Sequence, residues 1–256
     1  MNLKQDRIKE IVDNGYSLDF ADVFNKAFEN YKKIALYAGL MIFVFIIILI
    51  LITVSVGISF LGLGALSQES MKELSLNMEN LSGINLVNYV GVSILFSALI
   101  SPLQAGLIKM AYCAERDEEF HVSTVFSYYT TKYFSQIFIA TFILLVCSNG
   151  ISMALNYSGI MLVGPIISLA ISFFTILTIP LIIFSDVKAI DAIKYSFSIV
   201  SKQPLILLAL IVVAIIGSMV GFIGCCIGVF FTLPFMYSMY YAMYSEIIGF
   251  DYEEEL

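Results

Sequence analysis

The longest uncharged stretch of the chain, from Ile34 to Leu66, limits the folds that are available to it. This stretch has 33 residues and contains no Asp, Glu, Lys, Arg or His, whereas about 20 apolar residues suffice to cross a bilayer as a helix. Hydrophobic residues make up 60% of the 256-residue chain and charged residues 13%, against roughly 45–50% and 25% in soluble domains. We therefore expect an all-α, polytopic transmembrane bundle that forms a single membrane domain over residues 1–256.

Six apolar segments are predicted to span the membrane. They cover approximately residues 34–62, 87–112, 134–154, 160–184, 204–222 and 225–246. The first segment is far too long for the apolar core of a cleavable signal peptide, so we expect it to stay in the mature protein. The four cysteines have no spacing typical of a metal site or a disulfide framework, and we interpret them as small apolar residues.

Lysine and arginine are divided very unevenly between the two predicted faces of the membrane. Twelve of the thirteen basic residues precede the first span or lie in the connections 109–133 and 185–203, and only Lys72 lies on the other face. Because basic loops stay inside the cell, this division predicts that both termini are cytoplasmic. The net charge of −7 and the lack of a basic stripe give no indication of a nucleic-acid partner.

An amphipathic segment followed by two spans occurs three times along the chain, which indicates a threefold internal repeat. The units cover about 17–120, 121–185 and 186–250, and an acidic tail, 251–256, follows them. The amphipathic segments are Ser17–Lys33, His121–Gln136 and Asp186–Pro204. We expect these segments to lie along the cytoplasmic membrane surface. In the third segment the predicted apolar face consists of Ala189, Ile190, Ile193, Phe197 and Val200.

The second span of each unit contains a proline, namely Pro102, Pro180 or Pro234. Proline removes a backbone donor and crowds the carbonyl four residues earlier, so we expect three similar kinks. Thr178 and Thr232, two residues before their prolines, are candidates to satisfy the freed carbonyls. Two spans per unit return the chain to its starting side, so the copies are predicted to be parallel.

The segments "FADVFNKAFENYKK", "PLQAG" and "AIDAIKYSFSIVSKQP" resemble those of a family of bacterial six-span proteins. This family is related to the membrane domain of glycerophosphodiester phosphodiesterases, and the resemblance covers about residues 17–249. It implies a six-span fold in the bacterial cytoplasmic membrane. It implies no reaction, because the polar connections here are too short for a soluble catalytic domain of at least ~50 residues.

Motifs for enzyme chemistry are absent from the sequence. There is one histidine, His121, and no HExxH, phosphate-binding loop or GxSxG motif, so we expect neither catalytic residues nor a cofactor nor a metal site. The acidic run Glu115–Glu119 could hold a hard cation. A solvated loop whose acids precede a helix N-terminus is the simpler interpretation.

Uncharged polar residues in the spans form a candidate polar seam at helical spacing. The seam consists of Ser93, Ser97, Ser101, Gln104, Ser168, Ser172 and Thr175. It could line a solute pathway, although hydroxyl residues also serve as helix-packing positions. Two GxxxG pairs, Gly217/Gly221 and Gly224/Gly228, are expected to let the fifth and sixth spans approach closely. A tyrosine face follows near the cytoplasmic interface, formed by Tyr237, Tyr240, Tyr241 and Tyr244.

The sequence therefore favours a non-enzymatic integral membrane protein that acts as a scaffold, an accessory subunit or a lipid-interacting bundle. Its expected partners are membrane lipids and a further membrane protein. A small-solute transporter or channel with the polar seam between repeats is the alternative. An intramembrane lipid-modifying enzyme is the third hypothesis, and it would need a polar cluster around Gln104, Lys109 or His121.

Overall fold

A computed structural model describes residues 3–61, 67–79, 82–160, 162–224 and 227–250. These residues form helices and connections and contain no β-strand, so the all-α prediction is confirmed for this part of the chain. Cys225, Cys226 and the predicted acidic tail lie outside the described residues.

Helices of very different length make up the bundle. They are α1 (Leu3–Asn14), α2 (Phe20–Leu61), α3 (Gln68–Glu79), α4 (Gly83–Glu115), α5 (Val122–Phe126), α6 (Tyr133–Tyr157), α7 (Val163–Phe174), α8 (Thr178–Ser185), α9 (Ala189–Lys202), α10 (Pro204–Met219), α11 (Gly228–Thr232) and α12 (Pro234–Ile247). Two 3₁₀ helices, Ser127–Tyr129 and Val220–Gly224, join neighbouring elements.

Within the described residues, five helical segments are long and apolar enough to cross a membrane. They are Phe20–Val56, Gly83–Glu115, Tyr133–Tyr157, Val163–Ser185 and Pro204–Ile223. Large apolar side chains on their outer faces remain exposed, such as Leu36 at 66% and Leu169 at 71%. Exposed apolar helices of this length are typical of lipid-facing surfaces, so the architecture is that of an integral membrane protein.

The predicted sixth span is divided into α11 and α12, which meet at Leu233. The helices have 5 and 14 residues, and each by itself is shorter than a bilayer requires. The described residues thus contain five long spanning segments, and the sixth span remains a prediction.

The three predicted amphipathic segments differ in structure. The first continues into the first span without interruption, because α2 is a single helix of 42 residues; the expectation of a separate surface helix is therefore wrong for this unit. The second is reduced to α5 and the 3₁₀ helix Ser127–Tyr129. The third forms a separate helix, α9, of 14 residues.

The predicted apolar face of α9 only partly coincides with the face that packs against the bundle: Ala189 and Val200 are buried and Ile193 packs against the core. Ile190 and Phe197 are more than half exposed. The buried stripe consists of Ala189, Ala192, Ser196, Ile199 and Val200. In a membrane, lipid is as apolar as the protein interior, so small residues face neighbouring helices while large apolar residues can face outward.

The three prolines do not produce equal kinks. The helix is interrupted at 175–177 before Pro180 and at Leu233 before Pro234, whereas Pro102 lies inside the continuous helix α4. Beside Pro102, the hydroxyl of Ser101 donates to the Ala98 carbonyl at 2.8 Å, which is the carbonyl that the proline leaves without its usual donor. The Tyr129 hydroxyl donates to the next carbonyl, that of Leu99, at 2.8 Å.

The predicted role of the two threonines is wrong. The Thr178 hydroxyl is buried and has no hydrogen-bond partner, and the Thr232 hydroxyl donates to the Ser218 carbonyl of α10 at 2.6 Å. Ser196 of α9 instead pairs the backbone at the first interruption. Its hydroxyl accepts from the Leu177 N–H at 3.1 Å and donates to the Phe174 carbonyl at 3.0 Å.

Glycines allow the closest helix contacts. A Cβ atom on Gly221 would lie 2.3 Å from the carbonyl carbon of Gly228, and one on Gly217 would lie 2.7 Å from the Phe235 ring. The contact therefore pairs Gly221 with Gly228, while Gly224 ends the intervening 3₁₀ helix. A Cβ on Gly106 of α4 would lie 2.1 Å from the Val125 carbonyl oxygen of α5.

The basic connections lie at one end of the bundle, which we call the basic end. Salt bridges and hydrogen bonds join the helix ends there. Lys26 Nζ of α2 lies 3.1 Å from Glu115 at the end of α4 and 2.6 Å from Glu246 at the end of α12. Lys132 Nζ lies 2.7 Å from Asp186. The N-terminus of α2 and the C-termini of α4 and α12 therefore share this end.

Replacing Gly106 by alanine is expected to destabilise the bundle by about 1–3 kcal/mol, because the new methyl group overlaps the backbone at Val125. The matched control is Gly91→Ala in the same helix, where a Cβ meets no atom within 4 Å. The measurement is the temperature at which the detergent-purified protein loses its monodisperse size-exclusion peak. Equal temperatures for the two variants would contradict the contact.

Replacing Ser196 by alanine is expected to lower the free energy of unfolding by about 1–3 kcal/mol, because the Leu177 N–H and the Phe174 carbonyl lose their buried partner. Ser201→Ala removes a hydroxyl of the same helix that is exposed and bonds only within α9, and its effect should stay within ~0.5 kcal/mol. Thermal unfolding in the same detergent compares the two. A melting temperature for Ser196→Ala equal to that of Ser201→Ala would show that the interruption does not depend on this hydroxyl.

Candidate intramembrane site

A polar cavity of about 300 Å³ lies between α4, α6, α7, α8 and α12, beside the interruption at 175–177. Its polar lining comes from Gln104, Thr141, Ser148, Ser172, Thr175, Thr178 and Tyr240. Aliphatic side chains of the same helices complete the wall, and no charged residue of the described chain lines it. The cavity is therefore a hydrogen-bonding site without a formal charge.

Most of these polar side chains form no hydrogen bond with the rest of the described protein. The Thr175 hydroxyl donates to the Ile171 carbonyl of its own helix at 2.7 Å. The remaining polar side chains form no hydrogen bond with any described residue: Gln104, Thr141, Ser148, Ser172, Thr178 and Tyr240. Because unpaired polar groups are costly in an apolar environment, this lining favours a polar occupant.

Thr178 is the most informative of these residues. It is 1% exposed, and its hydroxyl oxygen is buried without a partner. The interruption places Thr178 at the start of α8, and Ser196 already pairs the neighbouring Leu177 N–H and Phe174 carbonyl. Thr178 therefore contributes to the cavity wall a residue whose hydroxyl has no partner among the described residues.

The predicted polar seam is only partly continuous. Gln104, Ser172 and Thr175 line the cavity together. Ser168 instead pairs with Ser152 at 2.9 Å, and Ser101 is buried against the Ala98 carbonyl.

The remaining seam residues, Ser93 and Ser97, lie outside the cavity. Both are exposed, and Ser93 donates to the Val90 carbonyl of its own helix. Serine at helical spacing therefore does not by itself define a pathway, since its hydroxyl can bond within its own helix.

Thr141 and Ser148 were absent from the predicted seam. They lie seven residues apart on α6 and line the cavity together. This spacing places both on one helix face, which is the signal that could have identified them. Their connection with Gln104 depends on how α6 packs against α4, which no local pattern contains.

The predicted tyrosine face is divided among different environments. Tyr240 lines the polar cavity and Tyr237 lines a separate groove. Tyr241 and Tyr244 are fully buried, and the Tyr244 hydroxyl lies 2.6 Å from that of Ser185. These four residues therefore do not form one interfacial belt.

An apolar groove of about 230 Å³ lies on the neighbouring side of α4, between α2, α4, α5 and α12. The residues that line it are Met41, Ile42, Phe45, Ile46, Leu49, Ile100, Leu103, Gln104, Leu107, Val125, Phe126 and Tyr237. Aliphatic and aromatic walls of this kind suit a hydrocarbon chain.

Gln104 borders both the groove and the polar cavity. At 100° per residue, Leu103 and Leu107 occupy the groove face of α4, and Ile108 occupies the cavity face. Gln104 lies on the boundary between these two faces. The Gln104 side chain therefore lies between an apolar compartment and an uncharged polar one.

The acidic run 115–119 near the basic end is engaged in ion pairs rather than arranged around a cation. Glu115 bonds Lys26, and Asp117 lies 2.6 Å from Lys33 Nζ. In the next ion pair the hydrogen bond to Asp186 raises the pKa of Lys132. The described residues contain no group of three or more metal-ligating side chains.

Of the three residues named by the lipid-modifying hypothesis, Gln104 lies in the polar cavity, whereas Lys109 and His121 lie elsewhere. Lys109 Nζ lies over the Tyr128 ring at 5.6 Å, and His121 caps the N-terminus of α5, where its backbone N–H donates to the Thr124 hydroxyl. Neither residue lines the polar cavity.

Comparisons with protein-family models, with curated proteins and with solved structures found no match for this chain.

Proposed function

We propose that this protein is a non-enzymatic, lipid-interacting bundle of the bacterial cytoplasmic membrane, with six spans, three parallel repeats and both termini in the cytoplasm. We further propose membership of the six-span family related to the membrane domain of glycerophosphodiester phosphodiesterases. In this function the bundle binds a lipid and serves as a scaffold or accessory subunit for a membrane-protein partner.

The orientation is supported by the distribution of basic residues. Lys26, Lys33 and Lys132 all form their ion pairs at the basic end, and the positive-inside rule assigns such an end to the cytoplasm. The N-terminus of α2 and the C-terminus of α12 share this end through Lys26 and Glu246, as an even number of spans requires.

The apolar groove is the observation that carries the lipid-binding function. It is built almost entirely from hydrocarbon side chains. It borders α2, on whose outer side Leu40 and Val44 are 52% and 45% exposed. A lipid chain can therefore bind in the groove without crossing a polar surface.

Substituting Ile46 by tryptophan is expected to displace the bound lipid, because Ile46 lines the groove and an indole ring would occupy it. Ile47→Trp is the matched control, since Ile47 is exposed and does not line the groove. Both variants are reconstituted with trace diazirine-labelled phosphatidylglycerol, phosphatidylethanolamine and diacylglycerol. Cross-links to residues 41–49 are then quantified by mass spectrometry.

We expect these cross-links to fall several-fold in Ile46→Trp and to remain at the parent level in Ile47→Trp. Equal labelling of residues 41–49 in both variants would mean that the lipid is only part of the surrounding annulus, and it would overturn the proposed function.

A small-solute transporter or channel is a second candidate, which the polar cavity favours. Its hydroxyl and amide groups lie beside an interrupted helix, an arrangement found at the substrate sites of transporters. Among the described residues, none that lines the cavity is charged, so such a solute would be uncharged.

Cysteine accessibility separates the two functions. In a background without the four natural cysteines, Ser172→Cys places a thiol in the cavity and Ser97→Cys places one on the exposed face of α4 outside it. The lipid-binding function predicts that a membrane-impermeant thiol reagent leaves both unmodified. Selective modification of Ser172→Cys would instead indicate a water-filled pathway and favour the transporter.

A further inference from the structure

We infer that the lipid of the apolar groove carries an uncharged head group with hydroxyl groups, as in a diacylglycerol, and that this head group binds in the polar cavity beside Gln104. The inference rests on the proposed lipid-binding function and adds the chemical class of the lipid.

The adjoining compartments match the two parts of such a molecule. The groove offers hydrocarbon walls, whereas the cavity offers hydroxyl and amide groups that have no partner among the described residues. Gln104 borders both, so the two compartments adjoin at this side chain, and the proposed lipid has its chain on one side of Gln104 and its polar end on the other.

The lining excludes a charged head group. No Lys, Arg or His of the described chain lines the cavity or the groove, so a phosphate there would have no counter-charge. The nearest basic residue of α4, Lys109, lies five residues beyond Gln104, about 7.5 Å along the helix axis at 1.5 Å per residue, and its Nζ lies over the Tyr128 ring rather than in the cavity. Without a cation in the lining, a phosphate would be more costly there than a neutral hydroxyl.

The hydroxyl of Thr178 gives the site a specific anchor. This hydroxyl is buried and has no partner among the described residues, and the Thr178 residue borders the cavity. A ligand hydroxyl can donate to it and accept from it, whereas a hydrocarbon chain can do neither. Gln104 contributes both an amide donor and an acceptor to the same ligand.

The test compares two diazirine-labelled lipids that have identical acyl chains, a diacylglycerol and a phosphatidate. Each is added separately to the protein in vesicles of unlabelled phospholipid, and cross-links to residues 41–49 are quantified. Gln104→Leu and Thr178→Val remove the proposed hydrogen bonds with little change of shape, and Ser97→Ala, outside the cavity, is the control. Size-exclusion profiles verify that each variant is folded.

We expect the diacylglycerol to label the groove more strongly than the phosphatidate. We also expect Gln104→Leu and Thr178→Val each to reduce that labelling roughly fivefold, the effect of losing one neutral hydrogen bond, while Ser97→Ala leaves it unchanged. Equal labelling by both lipids, or labelling that neither variant reduces, would overturn the head-group assignment and leave the groove as a lipid site. If neither lipid labels the groove of the parent protein more strongly than that of Ile46→Trp, both the head-group assignment and the proposed lipid-binding function would be overturned.

Discussion

The hydrocarbon region contains no water, so each interruption of an apolar helix must find another partner for its backbone. In this protein hydroxyl groups provide those partners. Ser196 of α9 bonds both sides of the gap between α7 and α8, and Ser101 and Tyr129 bond the carbonyls beside Pro102. Thr232 joins α11 to the Ser218 carbonyl of α10. These bonds fix which helices must be neighbours.

Close backbone contacts at small residues also determine which helices are neighbours. Because lipid is as apolar as a protein core, burying large aliphatic side chains gives little preference for one helix neighbour over another. Small residues provide that preference, as Gly106 does against Val125 and Gly221 against Gly228. The large apolar side chains of α2 and α9 can then face outward, and the ion pairs of Lys26 join the helix ends.

The candidate site lies beside the gap between α7 and α8 that the Ser196 hydroxyl bonds. Ser196 pairs the backbone at the gap, whereas the Thr178 hydroxyl is left without a partner among the described residues, and Thr178 borders the polar cavity. Gln104 connects this cavity with the apolar groove. Together the two compartments have the amphiphilic character of a lipid with a neutral head group, which is the basis of the function and the ligand class proposed above.

The sequence by itself determined the helical membrane class, because 33 uncharged residues in one run can be buried only in a bilayer or a very large core. It also identified Gln104, Ser172 and Thr175 as residues of interest. Only the tertiary structure decided that these three meet Thr141, Ser148 and Thr178 in one cavity, and that Ser196 rather than Thr178 pairs the interrupted backbone. Helical periodicity places residues on a face, whereas the neighbour of that face depends on contacts between distant segments.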